Sequence, residues 1–491
     1  MVPVPAGEHN MVDVSENPLK EETETSLKRS LGPIHLIALG IGCIIGAGIF
    51  VLTGQAAAIY AGPGVVYSFA IAGLGCLFAG LCYSEFASMI PVAGSAYTYT
   101  YATLGKFLGW FIGWNLVLEY LAASSTVAVG WAGYFNDFML HLGLPIPAMF
   151  NGAPIAMHSL NHITFTGSLI NLPAVILVGL ITTILVIGVT TSANFNNVMV
   201  AVKLTIVLMV IFTCYSFIVP ANHHPFVPPS TGAVGSFGWT GVFRATGVLF
   251  FSYIGFDAVS VAAQEAKNPQ RDIPIGMLGS LVICTILYMI MSYVLTGIAN
   301  YHTLNVAHPV SQAVEALPAT RWLTQYVNIG AVVGLASVVL VLLLAQSRIF
   351  YAMGRDGMIP AIFHEVHPRF RTPAKSSIIT GIFSALLSGF LPLDILGQLV
   401  SIGTLLAFAI VCVGVMVLRV RAPHVNRPFR TPFVWITAPL GIFMCVFMIS
   451  FLPLDTFLRL VIWTIIGLVI YFLYSSRHAK PSPYTITRLT K

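Results

Sequence analysis

Four ionisable side chains stand inside long apolar runs of this 491-residue chain: Glu85, Glu119, Lys203 and Asp257. A charge at membrane depth is costly, so each is a functional candidate by default. Lys203 is the sharpest of them. It sits in Asn197-Val198-Met199-Val200-Ala201-Val202-Lys203-Leu204-Thr205-Ile206-Val207, with no acid nearby in sequence. Burial disfavours its charged form. A lysine whose proton leaves and returns near neutral pH could serve as a coupling group. The alternative is snorkelling, because a long stem a few turns from a helix end can reach water. Glu119, in Trp114-Asn115-Leu116-Val117-Leu118-Glu119-Tyr120, could meet a substrate ammonium, a basic side chain or a structural partner. Glu85 lies near the end of its run, which favours a gate or a helix-end charge over ligand contact. Asp257 could cap a helix that starts beside it, since aspartate accepts orphan amide bonds well.

Two apolar segments are built to break. The first reads Gly42-Cys43-Ile44-Ile45-Gly46-Ala47-Gly48-Ile49-Phe50; the second reads Phe250-Phe251-Ser252-Tyr253-Ile254-Gly255-Phe256-Asp257-Ala258-Val259-Ser260. Glycine tolerates backbone conformations closed to other residues. It also favours close packing of membrane helices, and spacing alone does not separate the two uses. The matching position of the two segments does. A helix interrupted within a membrane survives only where its freed backbone groups are buried in protein or line a cavity. A pair of such breaks in corresponding places points to a transporter binding site. Freed amides at a half-helix N-terminus form a nest for a carboxylate. Freed carbonyls at the other half-helix C-terminus suit an ammonium. One of each suits a zwitterion, and amino acids are the obvious small zwitterions.

The elements that position these residues are membrane helices. The chain is 57% hydrophobic and 8% charged, with a mean hydropathy of +0.87. A soluble globular protein carries roughly 25% charged residues. An all-α polytopic membrane protein in a lipid bilayer is expected. Crossing a bilayer takes about 20 apolar residues. Twelve transmembrane helices are expected near 34–58, 63–90, 105–134, 171–192, 195–219, 240–264, 274–299, 325–352, 376–392, 395–418, 433–452 and 456–475. The breaks fall in spans one and six. Spans one to five (34–219) then match spans six to ten (240–419) as an inverted repeat, with the final pair (433–475) outside it.

Charge sets the orientation. With the N-terminus inside, the inner segments hold all of the 23 Lys and Arg residues except Lys203, Arg244, Arg321 and Arg459. The outer loop 135–170 has no Lys or Arg, and neither does 220–239. That bias follows the positive-inside rule and explains the net charge of +6 without nucleic acid. Both termini, 1–33 and 476–491, are then expected in the cytosol. The first thirty residues carry Glu8, Asp13, Glu16, Glu21, Glu22 and Glu24, which is not a signal peptide. The seven cysteines fall in apolar segments, at spacings of neither a zinc site nor a disulfide framework. His158, His162, His223, His224, His364 and His367 lie in loops and carry no carboxylate or cysteine at ligand spacing. No metal, cofactor, nucleotide-binding loop or catalytic constellation is expected, and the chain does not read as an enzyme.

At these residues the chain resembles a known family. Gly42 to Phe50 resembles the first-helix signature of the amino acid–polyamine–organocation (APC) superfamily. Phe251 to Asp257, with Glu265-Ala266-Lys267-Asn268-Pro269-Gln270-Arg271-Asp272-Ile273-Pro274, is similar to the sixth-helix signature of its cationic amino acid transporter branch. So are Tyr83-Ser84-Glu85-Phe86 with Pro91-Val92-Ala93-Gly94-Ser95-Ala96-Tyr97, and Arg348-Ile349-Phe350-Tyr351-Ala352-Met353-Gly354-Arg355-Asp356-Gly357. The resemblance runs from about residue 28 to about 475. It implies a LeuT-like five-plus-five inverted-repeat fold with two extra helices. It implies binding of an L-amino acid to Ile44, Ile45, Gly46, Ala47 and Gly48 and to Phe250, Ser252, Tyr253 and Ile254; uptake of arginine or lysine would make Glu119 the leading side-chain partner. Proton-coupled relatives place a fifth-helix lysine between helices one, five and eight, and Lys203 matches that position. The expectation is a proton-coupled L-amino acid symporter working by alternating access in a bacterial inner membrane. An exchanger or a non-transporting sensor on the same fold is the alternative. Twelve spans rather than the fourteen of the animal cationic transporters leave cationic selectivity open. A small membrane partner subunit is also left open.

Overall fold

The computed structural model describes residues 31–90, 95–159, 162–188, 193–232, 235–261, 266–370 and 372–480. Most of the N-terminal tail, Pro91 to Gly94, Glu265 and most of the C-terminal tail lie outside them. Proline and glycine set where many of the helices start and stop. Pro33, Pro269 and Pro309 each sit in a first turn, where a missing N–H costs nothing. The first apolar run forms α1 (Pro33–Ile44), then a break, then α2 (Thr53–Ala56) between the π-helical turns Gly48–Leu52 and Ala57–Ala61. There follow α3 (Val65–Met89), α4 (Ser95–Leu104), α5 (Lys106–His141), α6 (Leu172–Ile187) and α7 (Ala193–Tyr215). The second broken run gives α8 (Gly238–Leu249), a 3₁₀ turn Phe250–Tyr253 and α9 (Ala258–Val261). The rest forms α10 (Pro269–Ile298), α11 (Pro309–Glu315), α12 (Thr324–Arg355), α13 (Ala374–Phe390), α14 (Leu393–Arg421), α15 (Val434–Ser450) and α16 (Leu454–Ile470).

Among the described residues, eight helical stretches are long and apolar enough to cross a membrane, and four shorter apolar helices accompany them. Their outer faces carry exposed apolar side chains, among them Phe212, Phe443, Ile465 and Leu473. Such a surface suits lipid rather than water. The chain is a multi-pass membrane protein. The core helix α5 packs on α12 and α14, while α10 packs on both α1 and α3. All seven cysteines are buried and unpaired.

Two features depart from the sequence expectations. Span three was expected to end at 134, yet α5 runs on to His141. Phe135 and Phe138 keep its apolar face going, and the polar Asp137 is satisfied within the protein. Its Oδ2 accepts from Ser311 Oγ at 2.8 Å and Asn328 Nδ2 at 2.7 Å. The connection between α5 and α6 also holds regular structure. Ile155–Ser159 (β1) and His162–Phe165 (β2) pair antiparallel, with Ile155 opposite Phe165 and Met157 opposite Ile163.

Candidate functional site: the two broken helices

The last carbonyls of a helix have no intrahelical donor. At the end of α1 they find partners elsewhere. Ile45 turns extended, with ψ 97°, and its N–H still bonds Ile41 O at 2.8 Å. The Gly42 carbonyl accepts Lys203 Nζ at 2.7 Å. The Ile44 carbonyl accepts the Tyr288 hydroxyl at 2.7 Å. The second break is similar. The 3₁₀ turn after α8 leads to an extended Ile254 and to Gly255 at φ +113°, a conformation that favours glycine. The Ser252 carbonyl lies 2.8 Å from the same Tyr288 hydroxyl. One phenolic hydrogen thus serves two carbonyls, one from each break, and can satisfy only one at a time.

The breaks press against each other. A Cβ on Gly48 would lie 2.4 Å from Ser252 Cβ, and one on Gly255 would lie 2.9 Å from Cys43 Cβ. Only glycine permits these two approaches. Around the crossing lies a small cavity lined by Cys43, Ile44, Gly46, Ala47, Gly48 and Ser252. Phe251, Ile254, Ala123, Val127, Val338 and Leu342 complete its wall. Its volume is about 10 Å³. That is room for roughly one water. Apart from Ser252, the side chains in its wall are apolar or, at Cys43, a thiol.

Of the residues expected at the site, Ile44, Gly46, Ala47, Gly48, Ser252 and Ile254 line this cavity, and Ile45, Phe250, Tyr253 and Glu119 do not. Ile45 is buried in the core beside it. Phe250 packs edge-on against Phe408, ring centroids 5.6 Å apart. Tyr253 donates to Phe69 O at 2.8 Å, anchoring the break to α3. Glu119 is fully buried one turn from Ala123 on α5. Its carboxylate lies near Asp257 and Thr404 but makes no hydrogen bond of ordinary geometry. Asp257 Oδ2 accepts the Tyr120 hydroxyl at 2.6 Å, tying the second break to α5. Tyr288 has no signature in the sequence, because one tyrosine in an apolar helix carries no signal of its own; Phe251, within the second glycine-broken segment, also lines the cavity.

Lys203 is fully buried on α7 rather than snorkelling. Its stem lies against α12, where a Cβ on Gly334 would approach Lys203 Cγ to 3.0 Å. Its head sits at the C-terminal end of α1, the negative end of that helix dipole. Lys203 therefore joins α1, α7 and α12. Among the described residues no carboxylate lies within 4.0 Å of it. Glu85 is the opposite case. It is fully buried near the end of α3, with Oε1 3.0 Å from Arg419 Nε and Oε2 2.7 Å from Arg419 Nη2. Arg427 Nε lies 3.2 Å away and Thr431 N–H donates at 2.8 Å. Glu85 is a clamp between helix ends, away from the cavity.

Two interrupted membrane helices thus cross at glycines, and the Ile44 and Ser252 carbonyls meet at one tyrosine hydroxyl beside a small cavity. A family model described as amino acid permease matches residues 31–475, and the chain belongs to that family. It is 46% identical over 458 residues to the branched-chain amino acid permease BcaP of Bacillus subtilis, covering 93% of this chain and 95% of that one. It is 43% identical to the methylthioribose transporter of the same organism, over 92% and 95% of the two chains. It is 36% identical to the vacuolar cationic amino acid transporter 4 of Arabidopsis thaliana, over 82% and 66%.

Proposed function

We propose that this protein takes up L-amino acids with apolar side chains together with protons, by alternating access. The frame is twelve spans in two inverted halves, with both termini in the cytosol of a bacterial cell and the chain in its inner membrane. The substrate carboxylate sits on freed amides around Gly46 and Gly48. The ammonium sits on the Ile44 and Ser252 carbonyls, in place of or beside the Tyr288 hydroxyl. Ala123, Val127, Val338, Leu342 and Phe251 offer an apolar wall that suits a branched aliphatic group, the substrate class named for BcaP, once the two breaks part to widen the water-sized cavity. A sugar such as methylthioribose needs side-chain partners for its hydroxyls, and this wall offers only Ser252.

The observation that carries the coupling is the Lys203–Gly42 hydrogen bond. A hydrogen bond from an ammonium contributes about 1.5–3 kcal/mol and one from a neutral amine about 0.5–1.5 kcal/mol. Losing the proton therefore weakens the α1–α7 tie by roughly 1 kcal/mol or more, a several-fold shift between two conformations. Proton release frees α1 to move, and substrate release follows from the same movement.

A second reading has its own support. Glu119, one turn from the cavity and with no cation beside it among the described residues, would meet the side-chain charge of arginine or lysine. Uptake of labelled amino acids into liposomes separates the two readings. Leucine, isoleucine or valine accumulating under an inward proton gradient supports the first. Arginine accumulation that is lost in Glu119→Gln supports the second. Flux only against preloaded amino acid would make the protein an exchanger and overturn proton coupling.

A further inference from the structure

At the far end of α5 from Lys106, three side chains that no expectation joined come together. Asp137 and His141 lie one turn apart on α5, and Glu315 ends α11. One ligand atom from each lies within 4.8 Å of the others. Asp137 is buried, while the His141 and Glu315 side chains are 28% and 41% exposed. The hydrogen bonding of His141 has a definite sense. Its Nδ1 is 2.8 Å from the Asp137 backbone carbonyl, which can only accept, so Nδ1 carries the hydrogen. In a neutral ring Nε2 is then a lone pair. That nitrogen faces Glu315 Oε1 at 3.5 Å, and two acceptors so placed repel unless a cation lies between them. A second imidazole adjoins: His308 Nε2 is 3.8 Å from Asp137 Oδ1. Asp137 and His308 also line a cavity of about 500 Å³ that admits solvent to the cluster.

We propose that Asp137, His141 and Glu315, with His308 as a fourth donor, form a binding site for a divalent transition metal of the zinc type. Imidazole and carboxylate donors suit zinc, whose tetrahedral ligands sit about 3.4 Å apart. The observed separations ask for shifts of about 1 Å or less at the His141 Nε2–Glu315 and His308 Nε2–Asp137 pairs. The Nδ1–H bond to the Asp137 carbonyl is the kind of outer partner that orients a ligating histidine. Asp137 and His141 belong to a core helix; His308 and Glu315 bracket α11 in the connection between α10 and α12. A metal held by both fastens that connection to α5. In the proposed cycle this cluster lies on the outer face, so a bound metal slows transport.

The test uses the full chain, without a histidine tag, in detergent after treatment with a chelator. Zinc chloride is titrated by calorimetry and by melting temperature. The expected result is one saturable site that raises the melting temperature. Affinity falls at least about tenfold in His141→Gln and in Glu315→Gln, while His367→Gln binds as the wild type does. Wild-type protein without a saturable zinc site would overturn the proposal. Unchanged zinc binding in both cluster variants would overturn it equally. Zinc inhibition of uptake, absent in His141→Gln, is the second readout. It alone rests on the transport reading, so failure of transport and failure of the metal site are told apart.

Discussion

The contact between Gly48 and Ser252 can be tested by adding one methyl group. In Gly48→Ala the new Cβ would stand 2.4 Å from Ser252 Cβ, 2.5 Å from its Oγ and 2.7 Å from its Cα. Ordinary carbon contacts lie at about 3.5–4.0 Å. The two breaks must therefore separate by about 1 Å, and the obstructing Cα is backbone, so no rotamer change relieves it. Overpacking of this kind costs about 1–3 kcal/mol. Separation also pulls the Ile44 and Ser252 carbonyls apart, so the Tyr288 hydroxyl no longer reaches both. Gly48→Ala should reach the membrane, melt several degrees lower and lose nearly all uptake. Ser252→Gly removes Cβ and Oγ but leaves the Cα, so the double variant should recover part of the melting temperature and little of the uptake. The double-mutant cycle should show coupling of about 0.5–3 kcal/mol, the range for residues in contact. Wild-type uptake in Gly48→Ala, or strictly additive melting temperatures, would refute the crossing of the two breaks.

Three further outcomes follow from the geometry. Tyr288→Phe removes the one hydrogen shared by the Ile44 and Ser252 carbonyls, leaving a buried acceptor unpaired at about 1–3 kcal/mol; the substrate ammonium then faces less competition, so KM for uptake should fall while the apo protein melts lower. A higher KM with an unchanged melting temperature would contradict that. Glu85→Ala strands Arg419 and the buried Arg427 without their carboxylate, a loss of about 3–5 kcal/mol for a buried pair. It should reduce the amount of folded protein recovered by size-exclusion chromatography, and full recovery would show that the clamp is dispensable. Lys203→Met keeps the stem packed on Gly334 but removes the donor to Gly42; it should fold, bind substrate and fail to accumulate it.

The site was legible where chemistry clashed with its surroundings and illegible where it did not. Lysine in an apolar run stands out, so Lys203 was visible; its partner was not, because Gly42 lies 161 residues away and contributes only a carbonyl. Gly46, Gly48 and Gly255 mark the breaks in the sequence, while Phe250, Tyr253 and Glu119 pack around the small cavity without lining it. Tyr288 was hidden because its role comes from standing opposite two distant carbonyls. The Asp137–His141 pair did carry a signal, an acid and an imidazole four residues apart on one helix face. A span that ends at 134 hides it, because Asp137, which Ser311 and Asn328 satisfy, lies beyond that end.

The central claim is that Lys203 holds the coupling proton. Its most direct test is leucine uptake into liposomes holding wild-type protein or Lys203→Met, with and without an inward proton gradient, beside a calorimetric titration of leucine onto each. Gradient-driven accumulation is expected of the wild type only, with leucine binding retained in both. Equal gradient-driven accumulation by Lys203→Met would contradict it.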